Sequence, residues 1–163
     1  MDESYMRIAL ATAERARQAG ELPFGAILVG PEGEVLRDEH DRVAERGDPT
    51  QHAEVRLVAA GCADAGGTLQ GHTVYTTCEP CAMCFTSMWL AGVSRVVYGT
   101  TIAAVRERSG GRHQEMPVNA AFLDAASGGL MALTEGVLAD DCLFAFGEAD
   151  FSRVYGERRA PAR

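Results

Sequence analysis

Two short segments of this chain carry reactive side chains that can act together only if the segments meet in the folded protein. The first is "HAE" at 52–54, which places an imidazole two residues from a carboxylate. The second is "PCAMC" at 80–84, which places two thiols three residues apart, directly after a proline. The 25 residues between the two segments must therefore fold back on themselves.

The two thiols suit a metal ion. Proline is favoured in the first turn of a helix, so Pro80 predicts a helix start, and residues three apart on a helix share a face. Cys81 and Cys84 can therefore reach one point, where the positive end of the helix favours the thiolate forms that bind zinc. His52 supplies a nitrogen ligand. Three protein ligands are typical of a catalytic zinc site, in which water takes the fourth position and has a pKa of about 7.

Glu54 has the position of a proton carrier beside such a water. An offset of two residues turns Glu54 about 200° from His52 around a regular helix. At a helix start, however, the first turn can aim both side chains into one cavity. A carboxylate there can take a proton from the water and pass it to a leaving amine.

Other interpretations of these residues remain open from the residues alone. A C-x-x-C pair also serves as a redox couple, although a redox couple does not need a distant His-x-Glu. Cys78 as a fourth ligand would make a closed, structural zinc site. A zinc-stabilised scaffold without activity is a further alternative, and Glu54 argues against it because a structural site does not need that carboxylate.

Length and composition indicate a single domain over 1–163. The 163 residues can bury a core without disulfides, and 47% of them are apolar. No apolar run approaches the roughly 18 residues that cross a bilayer. The N-terminal "MDESYMRIAL" lacks the basic region of a signal peptide, so we expect a cytoplasmic protein with no membrane partner. The five cysteines are an odd number, which fits a reducing compartment.

The overall charge argues against a nucleic-acid partner. Phosphate binding needs clustered basic residues, whereas the net charge here is −8. Fifteen basic residues still allow a local basic patch, and several of them lie in the tail "RVYGERRAPAR".

Hydrophobic periodicity and turn residues predict strands that alternate with helices. The predicted strands are a hairpin over 25–37 and single strands over 71–77, 93–100 and 130–136. The predicted helices cover 4–19, 51–63 with Thr50 or Asp48 as cap, 80–92 ending at Gly92, and 137–156, with 148–163 forming a C-terminal tail or helix. Residues 38–50 predict a loop, and 101–129 show no clear pattern. This alternation favours an α/β sandwich with helices on both faces of one sheet.

The pair of motifs is identified as the H-x-E…P-C-x-x-C signature of the zinc-dependent cytidine deaminase superfamily. The segments "LPFGAILV", "GDPTQHAEV", "TVYTTCEPCAMC", "VSRVVYG" and "LTEGVLADDC" resemble the branch of guanine deaminases, cytosine deaminases and tRNA adenosine deaminases. The resemblance covers roughly 5–147. It implies a three-layer α/β/α sandwich with a five-stranded mixed sheet and a homodimer.

The resemblance also implies roles for individual residues. His52, Cys81 and Cys84 match the zinc ligands, and Glu54 matches the proton shuttle. The remaining matches concern the base pocket: Ala53 through its backbone N–H, Cys78 and Glu79 through a carbonyl near the leaving amine, and Phe24 as a wall. Relatives carry pocket-closing residues after the fourth strand, where His113 and Gln114 can reach a substrate, although both also suit an ordinary loop. The resemblance further suggests that Phe151 or Tyr155 covers a partner's site, although both also suit core or interface packing.

Asp41 departs from the pattern of this branch, in which an Asn contacts the base. Ionised Asp only accepts hydrogen bonds, whereas Asn both donates and accepts. If Asp41 faces the pocket, it favours a substrate that presents an N–H there. The alternative is that Asp41 points to solvent from a charged loop, with His40 as the contact instead.

These residues predict a zinc-dependent hydrolase of purine or pyrimidine metabolism that acts on a cyclic amidine. The expected substrate is a free heterocyclic amine (guanine-, cytosine-, isocytosine-, pterin- or triazine-like) that releases ammonia. The alternative is a tRNA wobble-adenosine deaminase with the same zinc chemistry. Against that alternative stand "TTCEPC" where the tRNA enzymes commonly have "TLEPC", Asp41, and the acidic balance.

Overall fold

Five strands form one mixed sheet in the computed structural model, which describes residues 1–147 and 149–155. The strands are β1 (Gly25–Val29), β2 (Val35–His40), β3 (Thr73–Cys78), β4 (Arg95–Thr100) and β5 (Ala132–Thr134). Their order across the sheet is β2-β1-β3-β4-β5. β1 runs antiparallel to β2 and β3, whereas β3, β4 and β5 run parallel to one another. The mixed five-stranded sheet expected from the resemblance is confirmed.

The helices of the described residues connect and cover these strands. They are α1 (Asp2–Gln18), α2 (Val43–Arg46), α3 (Ala53–Ala65), α4 (Ala82–Ala91), α5 (Ile102–Arg108), α6 (Ala120–Ala126), α7 (Ala139–Phe144) and α8 (Phe151–Tyr155). Parallel strands need a crossover connection, and α4 provides it between β3 and β4. The end of α4 agrees with the prediction, because Gly92 follows it with φ of 75°, a left-handed conformation that favours glycine.

The strands alternate their side chains between two apolar layers, as a pleated strand must. Leu28, Val74 and Val96 pack on one face with residues of α3 and α4. Ile27, Tyr75 and Val97 pack on the opposite face with residues of α1 and with Cys142 of α7. Helices therefore cover both faces of the sheet, which confirms the predicted α/β sandwich.

Several predicted boundaries were wrong between β2 and α3. The expected loop over 38–50 is instead the end of β2, which runs to His40, followed by the short helix α2. Neither Thr50 nor Asp48 caps α3, because the N-cap residue is His52 and no side chain caps it. Thr50 instead donates its backbone N–H to Asp48 Oδ1 at 2.9 Å. A local turn competes with capping here, as is typical of Asp and Thr.

The C-terminal part is broken where the sequence predicted one helix over 137–156. α7 ends at Phe144, and α8 begins at Phe151. Of the predicted tail or helix over 148–163, residue 148 and residues 156–163 lie outside the described residues. The assignment of 1–163 to a single domain stays a prediction. Within the described residues, no helix is both long and apolar enough to cross a membrane.

Candidate active site

The N-terminal ends of two helices meet at the motif residues. His52 is the N-cap residue of α3, and Cys81 is the N-cap residue of α4, with Cys84 in the first turn. α4 follows directly after β3 in the chain. α3 comes before β3 in the sequence, and its N-terminal end lies beside that of α4 in the fold. Both helix ends place positive backbone potential at the site, which stabilises thiolate and carboxylate groups there.

The two sulfurs and the imidazole are spaced as zinc ligands. His52 Nδ1 lies 3.7 Å from Cys81 Sγ and 3.5 Å from Cys84 Sγ, and the two sulfurs lie 3.6 Å apart. Tetrahedral zinc, with bonds of about 2.0 to 2.3 Å, separates such ligand atoms by about 3.6 to 3.8 Å. The residues present therefore fit the ion. Within the described residues, the group that can hold a metal contains these three side chains and not Cys78.

Protonation of the two thiols is coupled. The hydrogen bond between the Cys81 and Cys84 sulfurs, opposed by burial and assisted by His52, lowers the pKa of Cys81 to about 4. Burial raises the pKa of Cys84 well above its usual value. Because a metal ion binds the thiolate forms, its binding to both sulfurs displaces the Cys84 proton.

Two opposing effects act on His52. Burial disfavours the charged imidazole, but the hydrogen bond to Cys81 and the nearby carboxylates outweigh burial and raise the pKa of His52 to about 9. A metal ion on Nδ1 requires the neutral ring, so metal binding also displaces this proton.

Glu54 lies beside the ligand group and is almost fully buried. Its Oε1 accepts a hydrogen bond from Thr76 Oγ1 at 2.9 Å, and its Oε2 lies 3.4 Å from Cys84 Sγ. Burial raises the pKa of Glu54. Thr76 of β3 thus fixes the orientation of this carboxyl group, and the role of Glu54 as a proton carrier stays a prediction.

A small pocket opens next to these groups. Its lining residues are Phe24, His52, Glu54, Cys78, Glu79, Cys81, Ile102, His113 and Glu115. Four of the predicted base-pocket residues are in this set: Phe24, Cys78, Glu79 and His113. Their roles toward a substrate stay predictions.

Aromatic rings form one wall of the pocket. The ring centroid of Phe24 lies 5.4 Å from that of His113 and 4.8 Å from that of Phe146. Phe151 packs against His113 at 5.7 Å and is 2% exposed. Burial lowers the pKa of His113 to about 4, so its ring is neutral at neutral pH. Phe151 thus packs in the core of its own chain, which agrees with the alternative of core packing. The side chain of Tyr155 lies outside the described part of the structure.

Asp41 is buried near the site, but it is not among the pocket-lining residues. It is 2% exposed, so the alternative of a solvent-facing Asp41 was wrong. Its Oδ1 accepts a hydrogen bond from the Val43 N–H at 3.0 Å, and burial raises its pKa to about 7. An ionised Asp41 was expected from the sequence. A carboxyl group with this pKa is partly protonated at neutral pH, and like an amide it then offers a donor and an acceptor.

Two further predicted contacts also lie outside the lining set. Ala53 is fully buried at the start of α3, and Gln114 is exposed. The role expected of the Ala53 backbone N–H stays a prediction. Of the predicted contacts His113 and Gln114, only His113 is among the residues that line the pocket.

Glu115 is a pocket residue that sequence reasoning missed. Its Oε1 lies 3.8 Å from His52 Nε2, and burial raises its pKa to about 7. Glu115 lies in the stretch "RSGGRHQEMP", which has no periodicity and so could not be assigned to an element. The only available signal was its position two residues after His113.

Comparison with protein families identifies the chain. Residues 1–100 match the family described as the cytidine and deoxycytidylate deaminase zinc-binding region. The chain belongs to this family. Its members are hydrolases that act on C–N bonds of cyclic amidines, and the prediction of a zinc-dependent enzyme of this class is confirmed.

Similar proteins include several deaminases. A tRNA-specific adenosine deaminase from Aquifex aeolicus is 36% identical over 110 residues, covering 67% of this chain and 70% of that protein. A probable cytosine deaminase from Schizosaccharomyces pombe is 38% identical over 98 residues, covering 60% of this chain and 59% of that protein. A tRNA(Ile)-lysidine synthase from Thermus thermophilus is 47% identical over 98 residues, covering 60% of this chain but 18% of that protein. This chain therefore spans less than two thirds of the last two relatives.

Solved structures support the same fold. A tRNA deaminase studied for A-to-I editing at the wobble position superposes with a TM-score of 0.70 at 26% identity, covering 87% of this chain and 98% of that one. Guanine deaminase from Nitrosomonas europaea superposes with a TM-score of 0.79 at 21% identity, covering 90% of this chain and 83% of that one. The latter likeness shows the fold alone. Because several relatives act on tRNA by name, the comparisons do not support the expectation that nucleic acid is not a partner.

Proposed function

We propose that this protein hydrolytically deaminates a free nucleobase or a related aminated heterocycle and releases ammonia. The observation that carries the proposal is the lining of the pocket. Phe24 and His113 contribute rings to the lining, the carboxyl groups of Glu54 and Glu115 lie beside the metal-binding group, and no arginine or lysine belongs to the described lining. A flat, uncharged ring suits such a pocket, whereas a phosphate group would find no cation there and two carboxyl groups instead.

The chemistry of the proposal requires water to add to the carbon that carries the amine. A zinc ion held by His52, Cys81 and Cys84 would supply a water with a pKa of about 7. Glu54 takes a proton from the attacking water at Oε2 and delivers it to the ring nitrogen. It then carries the proton of the hydroxyl group on the attacked carbon to the amine, the C=O bond forms as the C–N bond breaks, and ammonia leaves. Thr76 holds Oε1, so Oε2 is the oxygen that moves protons.

The pocket walls orient the ring in this proposal. Phe24 packs against one face of the heterocycle, and the neutral His113 offers either a donor or an acceptor to its edge. The Ala53 N–H and the carbonyl near Cys78 and Glu79 keep the roles that the resemblance implies, toward the ring and the leaving amine.

Asp41 is the residue that we propose to tune substrate choice. It is buried next to the Phe24 segment, because its backbone N–H donates to the Phe24 carbonyl at 3.1 Å. Turnover of a panel of bases by the wild type and by Asp41→Asn tests this role. A changed order of preference supports it, and an unchanged order removes Asp41 from substrate recognition.

The second candidate is a tRNA wobble-adenosine deaminase. The observation that favours it is the identity of 36% to a tRNA-specific adenosine deaminase, together with a TM-score of 0.70 to a solved tRNA deaminase. The zinc chemistry would be the same for both candidates. They differ in whether the reacting base is a free molecule or part of a tRNA.

One pair of assays separates the two candidates. Zinc-loaded protein is incubated with free aminated purines, pyrimidines, pterins and triazines, and ammonia is measured. In parallel, inosine is measured in an anticodon stem-loop that carries adenosine at the wobble position. Release of ammonia from a free base, lost in Glu54→Ala, supports the proposal. Inosine in the stem-loop without turnover of any free base would establish the second candidate instead.

We also propose that the protein is a homodimer and acts in the cytoplasm. A dimer is supported by an apolar surface on α4 and α6, where Trp89, Leu90 and Phe122 are 38%, 73% and 64% exposed. The cytoplasm is supported by the cysteines, because all five are free thiols. Sedimentation of the wild type and of Leu90→Glu tests the dimer, since a charge on a buried dimer surface shifts the equilibrium to monomer.

A further inference from the structure

The side chain of Glu79 makes an unusual pair of contacts. Its Oε1 accepts a hydrogen bond from the backbone N–H of Ala120 at 2.8 Å, and its Oε2 accepts one from the backbone N–H of Ile102 at 3.1 Å. Glu79 is 6% exposed, so both bonds are shielded from water. Ile102 begins α5 and Ala120 begins α6. One carboxylate therefore holds the first residues of two helices, and 17 residues of chain lie between Ile102 and Ala120.

The chain between these two points supplies part of the pocket wall. It leaves the site along α5, turns at Ser109, and returns through His113 and Glu115 to α6. The backbone of His113 is fixed to the turn at Ser109, because its N–H donates to Ser109 Oγ at 3.0 Å. Within the described residues, no helix or strand lies between α5 and α6, and His113 and Glu115 contact the pocket through their side chains. The hydrogen bonds from Ile102 and Ala120 to Glu79 fix both ends of this segment.

Glu79 also connects this wall to the zinc-ligand turn. Its backbone N–H donates to the Thr100 carbonyl at 2.8 Å, which extends the pairing of β3 and β4 by one residue. Two residues later the chain reaches Cys81. The position of Glu79 is therefore set by the central sheet and by the turn that carries the thiols.

We propose that Glu79 is a positioning residue that holds the segment 102–120 so that His113 and Glu115 face the metal-binding group. The carboxylate acts through these two residues and through the backbone that carries them. An amide at this position could accept from one of the two N–H groups and would turn its own NH2 donor toward the other. One end of the segment, at Ile102 or at Ala120, would then lose its hydrogen bond, which loosens the stretch 109–120. For its catalytic consequence the proposal rests on the proposed function, but its structural consequence does not.

The first test measures hydrogen exchange by mass spectrometry on the zinc-loaded full chain. In Glu79→Gln we expect exchange in peptides that cover 109–120 to become about tenfold faster, because a buried amide loses its acceptor. Exchange in α3 should not change. Glu107→Gln is the matched control, since it removes the same charge from an exposed position on α5. Unchanged exchange in 109–120, or an equal increase throughout the sheet, would overturn the proposal.

The second test is a double-mutant cycle with Glu115, using whichever base is turned over. If Glu79 acts through the wall, Glu79→Gln raises KM about tenfold with a smaller change in kcat, and it adds little to Glu115→Gln because the two residues are coupled. Fully additive effects would contradict the proposal. If no free base is turned over, the proposed function fails while the exchange experiment still decides the role of Glu79.

Discussion

Glu54 combines burial, a fixed orientation and proximity to the thiol pair. One of its oxygens is held by Thr76, a residue of the central strand β3, and the other faces the Cys84 sulfur. A carboxyl group in such surroundings holds a proton more readily than one in water, because burial disfavours its charge. Among single residues, Glu54 is therefore held in surroundings that favour its protonated form, which is the property that its proposed role as a proton carrier needs.

Replacing this carboxyl group should abolish turnover without loss of the metal. For Glu54→Gln we expect kcat to fall by about 10²- to 10⁴-fold or more, because the amide cannot accept a proton from water. Zinc content, measured by atomic emission, should equal that of the wild type. Glu32→Gln, in the exposed turn between β1 and β2, is the control and should keep full activity. Loss of zinc in Glu54→Gln would instead show that Glu54 supports the ligands.

Asp41 should make stability depend on pH. Burial raises its pKa in the folded protein to about 7 from an ordinary value of 3.8. Between these values the folded protein keeps a proton that the unfolded chain has released. The free energy of unfolding therefore falls as the pH rises from about 4 to about 7, by at most about 4 kcal/mol for this group.

Denaturant unfolding of wild type and Asp41→Asn across this pH range measures the effect. The difference in unfolding free energy should shift in favour of Asp41→Asn as the pH rises, because the amide does not titrate. Asp140→Asn, at an exposed position in α7, is the control and should follow the wild-type curve. Parallel curves for the wild type and Asp41→Asn would show that Asp41 does not titrate in this way.

At the scale of elements, the short C-terminal helix α8 completes the aromatic wall. Phe151 contacts His113 and Phe146, which in turn contact Phe24 on the other side of the pocket. The helix packs on the site through Phe151 and also buries Val154 in the same apolar cluster. Phe151 is the α8 residue whose ring contacts the pocket wall, so its truncation measures the contribution of α8 to that wall.

Truncating that ring should destabilise the protein and loosen the pocket. Phe151→Ala should cost about 3 to 5 kcal/mol of unfolding free energy, the usual range for a buried Phe. KM for the substrate should also rise, because the wall loses its support. Phe144→Ala removes a ring that is 78% exposed and should change neither quantity. Equal effects of the two substitutions would mean that α8 is not packed on the pocket.

At the scale of the whole molecule, α1 packs directly on the sheet. A Cβ atom at Gly25 would lie 2.4 Å from both the backbone nitrogen of Ala13 and the backbone oxygen of Ala9. Helix and strand therefore approach more closely than any other residue would allow. Phe24, which lines the pocket, directly precedes this contact, so the packing of α1 also fixes that side of the site.

Gly25→Ala should therefore destabilise the protein by about 1 to 3 kcal/mol, because neither backbone can move without shifting a helix or a strand. Thermal and denaturant unfolding measure this loss. Gly30→Ala is a matched control just beyond β1, where the added Cβ would meet the end of the flexible Glu34 side chain. A loss as large in Gly30→Ala as in Gly25→Ala would contradict this explanation.

Much of the architecture could be predicted because it is encoded locally. The β-rich run of β1, the alternation in β3, and the proline and glycine on either side of α4 are properties of neighbouring residues. The prediction was wrong where local preferences compete, as at Asp48 and Thr50, which bond to each other rather than cap α3. It was silent over 101–129, where helices of only 7 residues leave little periodicity.

The family and the metal-ligand group can be inferred from the amino-acid sequence, because His52, Cys81 and Cys84 lie at fixed offsets within two short motifs. The folded chain was needed to see that Glu115 joins the pocket, that Glu79 holds two helix starts, and that Asp41 is buried. These properties depend on segments that are distant in the chain and meet at the end of the parallel strands. No local sequence pattern predicts these contacts between distant segments, because they arise from the packing of the whole sheet and its helices.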